Sequence, residues 1–318
     1  MPGRPRKDVI DESTVGVYHV YSRCVRRAFL CGVDQVSGRD FSHRRDWIVG
    51  RIRFLCHSFA IEACSFAVLS NHYHLLLRNR PDQAEHWSDD EVVRRWWRLS
   101  NERAPDGQGP TQLEIDSLKE LPGWVAEWRK RLASPSWFMK YLNENSARRA
   151  TREDELKGHF FQERFGARRM DDGLASLVCS IYVDLNELRA GLATGPEDSH
   201  YSSVFPRLAR LKRGEQALLE GDLERANHYA PDDPDFWLCP IDEEDRAPPL
   251  HVTASADGEH VDEPDALPAL PTRPDAAEAR RRWRHDFLPI TLEAYVELLE
   301  LTGQRFAVES RRSPKTAP

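Results

Sequence analysis

The sequence predicts an α+β fold, and three observations carry that expectation. Residues 15–23 alternate between β-branched or aromatic and polar types; residues 61–69 and 72–78 are two apolar runs parted only by Ser70-Asn71; and three other stretches show helical spacing of their apolar residues. Strand, helix and hairpin in that order, with further helices behind them, combine both element types in the main part of the chain.

The first strand is Val-Gly-Val-Tyr-His-Val-Tyr-Ser-Arg at 15–23, whose polar positions His19, Tyr21 and Arg23 share one face. A helix over 44–60 follows, with Trp47, Ile48, Ile52, Leu55, Cys56 and Phe59 at helical spacing. The hairpin comes next, with His72 and His74 on its second strand. Residues 79–135 read as a helical insertion rich in Asp, Glu and Arg, carrying Trp87, Trp96, Trp97, Trp124 and Trp128. Tryptophans at helical spacing predict packing, with stacking on unpaired bases as the functional alternative. A helix over 136–150 leads to a strand-like segment at 158–165. The clearest helix, 172–188, has Leu174, Leu177, Val178, Ile181 and Leu185 on one stripe, an Asp171-Asp172 start and Gly191 beyond its end.

Charge divides the chain. Residues 1–213 carry 34 Lys and Arg against 29 Asp and Glu, whereas residues 214–318 carry 11 against 23, so the acidic character of the net −7 belongs to the C-terminal third. A mildly basic body with Arg pairs at Arg26/Arg27, Arg44/Arg45, Arg94/Arg95, Arg148/Arg149 and Arg168/Arg169 is compatible with phosphate binding. The expected organisation is a basic arm at 1–14, a main domain at 15–213, an acidic, Pro-rich linker or disordered segment at 214–280, and a helical extension at 281–318 with a last helix at 292–301. The Gly3-Arg4-Pro5-Arg6 stretch is a solvated tail or a minor-groove arm.

No apolar run is long enough to span a membrane, and the first residues lack the apolar core of a signal peptide, so a cytoplasmic location without membrane association is expected. The six cysteines include no C-x-x-C pair, which fits thiols serving as small apolar residues in a reducing compartment.

The chemistry concentrates in two places. His72 and His74 are two apart on a strand, so both imidazoles face the same side while Tyr73, Leu75 and Leu77 face the other. Two imidazoles so placed are either ordinary strand histidines or half of a metal site. Tyr182 and Asn186 are four apart on the 172–188 helix, beside its apolar stripe, where side chains line a cleft against a sheet. A phenol and a carboxamide facing two imidazoles supply a nucleophile and a mixed nitrogen and oxygen metal sphere. That set suits attack on a phosphodiester, with Mg²⁺, Mn²⁺ or Zn²⁺ as the cation.

These residues resemble a known family, the single-tyrosine HUH transposases of the insertion-sequence-200 type, and within it the REP-associated tyrosine transposases. The resemblance runs through Val17-Tyr18-His19-Val20 with Arg23, Asn71-His72-Tyr73-His74-Leu75-Leu76-Leu77, Phe160 to Phe165, and Tyr182 to Leu192, covering roughly 15–205. Larger members are similar around Trp87-Ser88-Asp89-Asp90-Glu91 and at Leu288 to Gly303. It implies a ferredoxin-like antiparallel sheet with helices on one face, and a divalent metal, Mg²⁺ or Mn²⁺, held by His72, His74 and Asn186. It also implies that Tyr182 becomes joined to the 5′-phosphate of single-stranded or hairpin DNA in a monomer or homodimer. His19 and Arg23 are secondary candidates. The chain departs from the family's pattern at Glu187, where Pro is usual, and at Gly166 to Met170, where a Lys-Ser pattern is more typical. The rival readings are a non-catalytic DNA-binding protein derived from such an enzyme and an unrelated metal hydrolase. The second lacks both the H-E-x-x-H and the H-x-E with paired cysteines signatures.

Overall fold

A computed structural model describes residues 8–25, 30–34, 37–100, 109–155, 158–222, 233–241, 287, 288 and 290–312. Arg4, Arg6, the Arg26/Arg27 pair, residues 223–232 and 242–280 of the expected acidic segment and residues 281–286 of the expected extension lie outside them.

The sheet forms where β-branched and aromatic residues alternate. Strand β1 is Gly16–Arg23, β2 Ile61–Val68, β3 His72–Asn79 and β4 Gly166–Met170, all antiparallel in the spatial order β2-β3-β1-β4. Helix α1, Arg44–Ser58, connects β1 to β2, and helix α6, Pro135–Glu153, precedes β4. This is the β-α-β-β-α-β order of a ferredoxin-like fold, so the α+β expectation holds. Between β3 and α6 the expected insertion is helical throughout its main elements: α2 (Pro81–His86), α3 (Asp89–Ser100), α4 (Gln112–Lys119) and α5 (Trp124–Leu132).

Period-two alternation sends Tyr18, Val20, Tyr73, Leu75, Leu77, Phe66 and Val68 to one face, where they are buried against Ile48, Ile52 and Leu55 of α1 and Phe138 and Leu142 of α6. Buried Arg44, at the start of α1, bonds Glu153 at the end of α6 through its Nε at 2.6 Å, which ties the two helices together head to tail. The insertion extends this core. Trp96 and Trp128 stack at 5.8 Å and Trp96 meets Trp137 edge-on, while Arg95 lies over Trp87 and Arg131 over Trp137. These tryptophans are occupied with one another and with guanidinium groups, although Trp124 keeps an exposed side.

The other sheet face is covered as well. Helices α7 (Gly173–Asp184), α8 (Asn186–Arg189), α9 (Val204–Leu219) and α10 (Leu292–Arg312) contribute to a second core containing Leu76, Leu185, Val204, Leu208, Leu292, Tyr295 and Leu299. Helices on one face therefore describe α1 and α6 alone; the C-terminal helices cap the opposite side.

Four sequence expectations are displaced. The strand expected at 158–165 starts at Gly166 instead, and of the earlier segment Phe161 makes an isolated bridge to Cys24. The polar Gln162-Glu163-Arg164 interrupts the apolar alternation that a strand requires. Helix α9 runs through the expected boundary at 213/214 to Leu219, and Leu238, Cys239 and Ile241, inside the expected linker, are buried. The last helix extends past 301 to Arg312. Residues 8–14 of the expected arm are fastened to the sheet, with Tyr18 Oη donating to the Asp11 carbonyl at 3.0 Å and Asn79 Nδ2 to the Thr14 carbonyl at 3.1 Å. Among the described residues no helix is long and apolar enough to cross a membrane.

Candidate active site

Strand register assembles the site before any side chain is considered. In the antiparallel β1–β3 pair Tyr21 stands opposite His74 and Arg23 opposite His72, and on the other side of β1 His19 stands opposite Arg168 and Tyr21 opposite Gly166. Directly opposed residues share a face, so His19, Tyr21, Arg23, His72, His74 and Arg168 all project to the side covered by α7.

Helix α7 begins on Asp172, whose Oδ1 accepts from Ala175 N–H at 2.7 Å. The helix turns small polar residues to the sheet: Ser176 and Ser180 are buried, and Ser180 Oγ bonds Ser65 Oγ on β2. Serine at these positions lets the helix lie close to the strands. It also rotates the expected apolar stripe, leaving Leu174 67% and Val178 59% exposed while Leu177, Ile181 and Leu185 join the second core. Tyr182, 37% exposed, continues the outward row and meets the imidazoles edge-on, with its ring centroid 5.5 Å from His74 and 6.0 Å from His19. The guanidinium of Arg189 lies 5.2 Å from the Tyr182 ring centroid.

The buried side of α7 is pinned by charge. Asp184 accepts from Tyr295 Oη of α10 at 2.6 Å and from Ser203 Oγ, and Arg207 Nη1 lies 3.8 Å from its second oxygen. Tyr295 Oη also reaches Ser180 Oγ at 3.1 Å. Burial raises the Asp184 carboxyl, an effect opposed by Arg207, Ser203 and Tyr295.

The three histidines are electrostatically alike. His19 Nε2 and His74 Nδ1 lie 3.0 Å apart, within hydrogen-bond reach, and the His72 and His74 rings are 5.0 Å apart and nearly perpendicular. Burial pushes His74 down to about 3, helped by His19 and His72, and pushes His19 down to about 4, helped by Arg168. His72 is lowered by burial and by Arg23. All three are therefore neutral imidazoles near pH 7, the form that binds a cation. His72 Nδ1 lies 2.6 Å from the Asn71 Oδ1 acceptor, so the proton sits on Nδ1 and the lone pair on Nε2.

Asn186 follows the break in the helix at Leu185 and opens the short α8. Its Nδ2 donates to the Tyr182 carbonyl at 2.7 Å, which ties it to the turn bearing the phenol and commits the NH₂ group, so the acceptor capacity of the amide rests on its oxygen. Glu187 is buried, and its Oε2 accepts from Tyr201 N–H at 3.0 Å, a backbone clamp that holds the chain after the helix end. Among the described residues no group of three or more His, Cys, Asp or Glu side chains could hold a metal ion. A divalent cation at this site would thus need the Asn186 amide oxygen or groups of its own, water or phosphate, beside His72 and His74.

Ring contacts bring His19, His72, His74 and Tyr182 together, Arg23 stands opposite His72 in the strand register, and the Asn186 amide is engaged with the Tyr182 carbonyl. Sequence reasoning named Tyr21 only as a same-face neighbour of His19, Arg168 only within an Arg pair and Gly166 only in a tract that departs from the family's pattern, and made none of them a site residue. The signal for Tyr21 was its place in the same alternating run as His19, and the signal for the other two lay in the pairing of β4, which the misplaced strand concealed. Cys24 and Cys31 are buried, with thiols pushed up to about 11 and about 12, so both stay protonated.

No family model matches the chain, and neither does any curated protein. Among solved structures, a REP-associated tyrosine transposase bound to a REP hairpin is similar at 14% identity with a TM-score of 0.31, covering 78% of this chain and 93% of that one. Similarity of that degree transfers neither a family nor an activity.

Proposed function

We propose that this chain is a metal-dependent enzyme that nicks and joins single-stranded DNA, with Tyr182 as the nucleophile. The observation that carries the reading is an exposed phenol held edge-on to His74, itself paired with His19 and beside His72, under a rim of arginines.

Tyr182 Oη attacks a backbone phosphorus. A new P–O bond forms to the tyrosine, the bond from phosphorus to the 3′-oxygen breaks, and the phenol gives up its proton while the leaving 3′-oxygen gains one. The strand then ends in a 3′-hydroxyl and a 5′-phosphotyrosine. Because the phosphodiester energy is kept in the protein–DNA bond, the reverse step with a new 3′-hydroxyl joins strands. His72 Nε2, His74 and the Asn186 oxygen would hold the divalent ion, Mg²⁺ or Mn²⁺. When bound, it polarises a phosphate oxygen and stabilises charge that develops in the transition state.

The chain's own groups do the rest. Arg189, its guanidinium over the Tyr182 ring, places positive charge beside the residue that would meet the phosphate. Arg23 and Arg168, both exposed on the site face, supply positive charge for the phosphate backbone. The Asn186 bond to the Tyr182 carbonyl and the Asp184 network fix the helix turn that carries the phenol.

The test is a labelled single-stranded oligonucleotide with a hairpin, incubated with protein and Mg²⁺ or Mn²⁺ and run on a denaturing gel. A band that survives denaturation in the wild type and vanishes in Tyr182→Phe supports the reading. An adduct undiminished in Tyr182→Phe overturns it, and tight DNA binding without any adduct leaves the non-catalytic reading in its place.

A further inference from the structure

We infer that Tyr21 is a stacking platform for an unpaired base next to the phosphodiester that Tyr182 attacks. The inference rests on the DNA-nicking reading and deepens it by naming what grips the substrate.

β1 is flanked by β3 and β4, and its inward-facing neighbours Tyr18 and Val20 are fully buried, yet Tyr21 is 44% exposed on the site face. Its ring centroid is 5.9 Å from His74 and 5.7 Å from His19. The ring lies where a side chain at its β4 partner would otherwise sit. A Cβ on Gly166 would fall 2.3 Å from Tyr21 Cζ and 2.6 Å from its Cε1. The absence of a side chain at Gly166 therefore lets the phenol rest against strand backbone, with His19 and His74 beside it and the remainder of the ring exposed. A half-exposed aromatic packed against two imidazoles that themselves meet Tyr182 has the form of a base-stacking surface, which tolerates any base because each has a π face. Arg23 and Arg168, exposed on the same sheet face, flank it and match a polyanionic strand passing over the ring.

The experiment measures binding of a fluorescent single-stranded oligonucleotide by anisotropy for the full chain and three variants, alongside thermal unfolding and the Tyr182 adduct assay. Tyr21→Phe keeps the π face and holds affinity within about twofold, whereas Tyr21→Ala weakens it on the order of tenfold. Gly166→Ala leaves Tyr21 in place but drives its ring from the strand, so it weakens binding in the same direction even where Tyr21→Ala folds poorly. Wild-type affinity in both Tyr21→Ala and Gly166→Ala, with the Tyr182 adduct intact, overturns the platform alone. A loss in Tyr21→Phe equal to that in Tyr21→Ala assigns the hydroxyl rather than the ring and also overturns it. An adduct mapped to Tyr21 makes it a nucleophile and overturns both readings. Absence of DNA binding by the wild type overturns the nicking reading, and the platform falls with it.

Discussion

His74 shows how burial fixes chemistry at a single residue. With desolvation and two neighbouring imidazoles holding it at about 3, and His19 at about 4, neither ring titrates over the range where an ordinary histidine near 6.5 does. The unfolded chain takes up these protons as pH falls through 6.5 while the folded chain does not. The stability that neutral His19 and His74 contribute is thus complete above pH 6.5 and is lost as pH falls toward 4 and then 3. The ring Cε1–H resonances of His19 and His74 are expected to stay at their neutral positions from pH 8 to pH 5, with the urea midpoint lower at pH 5 than at pH 7. Midpoints near 6.5 for both rings would refute the burial argument. The same residue scale carries the metal prediction: His72→Ala and His74→Ala each remove a neutral nitrogen, so each abolishes Mn²⁺-dependent cleavage in the gel assay while single-stranded DNA binding persists. Cleavage that remains unchanged in both variants reassigns the ligands.

The elements were legible where one rule governed them. β1, the β2–β3 hairpin, α1 and α6 fall within a few residues of their expected bounds because alternation or helical spacing, uncomplicated by function, set their ends. β4 was misplaced because Phe160, Phe161 and Phe165 look like a strand in isolation, while Gly166 to Met170 becomes one by pairing with β1 across a long sequence separation. The face of α7 was misread for a related reason. Leu177, Ile181 and Leu185 of its apolar stripe do join the second core, but Leu174 and Val178 are exposed, and Ser176 and Ser180 take the sheet side, where close approach to β2 suits small side chains. What locks α7 lies over a hundred residues away, in the Tyr295 hydroxyl on Asp184 and Ser180. Tyr295→Phe deletes that donor and leaves a buried carboxylate short of a partner, a loss of about 1–3 kcal/mol in urea unfolding. No change in the urea midpoint would show that water replaces the phenol without cost.

At the scale of the molecule, both faces of the ferredoxin-like sheet carry helices, and the last helix was legible in local sequence but not the face it covers. Phe287, Leu288, Leu292, Tyr295 and Leu299 are buried in the second core with Leu76 and Leu185, so the segment past the acidic stretch is part of the structure that supports Tyr182. Removing these five side chains forgoes roughly 1.5–3 kcal/mol each, on the order of 10 kcal/mol, which is comparable to the whole stability of a typical domain. A chain ending at residue 286 is expected to bind a hydrophobic dye and to lose hydrogen-exchange protection along α7. Native protection in α7 without residues 287–318 would separate the extension from the site. Of the residues grouped around the imidazoles, the His72 and His74 pair, Tyr182 and Tyr21 lie in patterns readable from spacing, whereas the pairing of Gly166 and Arg168 with β1 required the register of β4; the Asn186 amide is tied to the Tyr182 carbonyl.

The central claim is that Tyr182 forms a covalent bond to DNA. Full-length protein is incubated with single-stranded hairpin oligonucleotide and Mn²⁺, digested with nuclease and protease, and sequenced by tandem mass spectrometry. The account predicts a nucleotide-phosphate mass on the peptide that contains Tyr182, dependent on the metal and absent after its removal by chelation. Bound DNA with no such mass on any peptide, or the mass on a residue other than Tyr182, would contradict it.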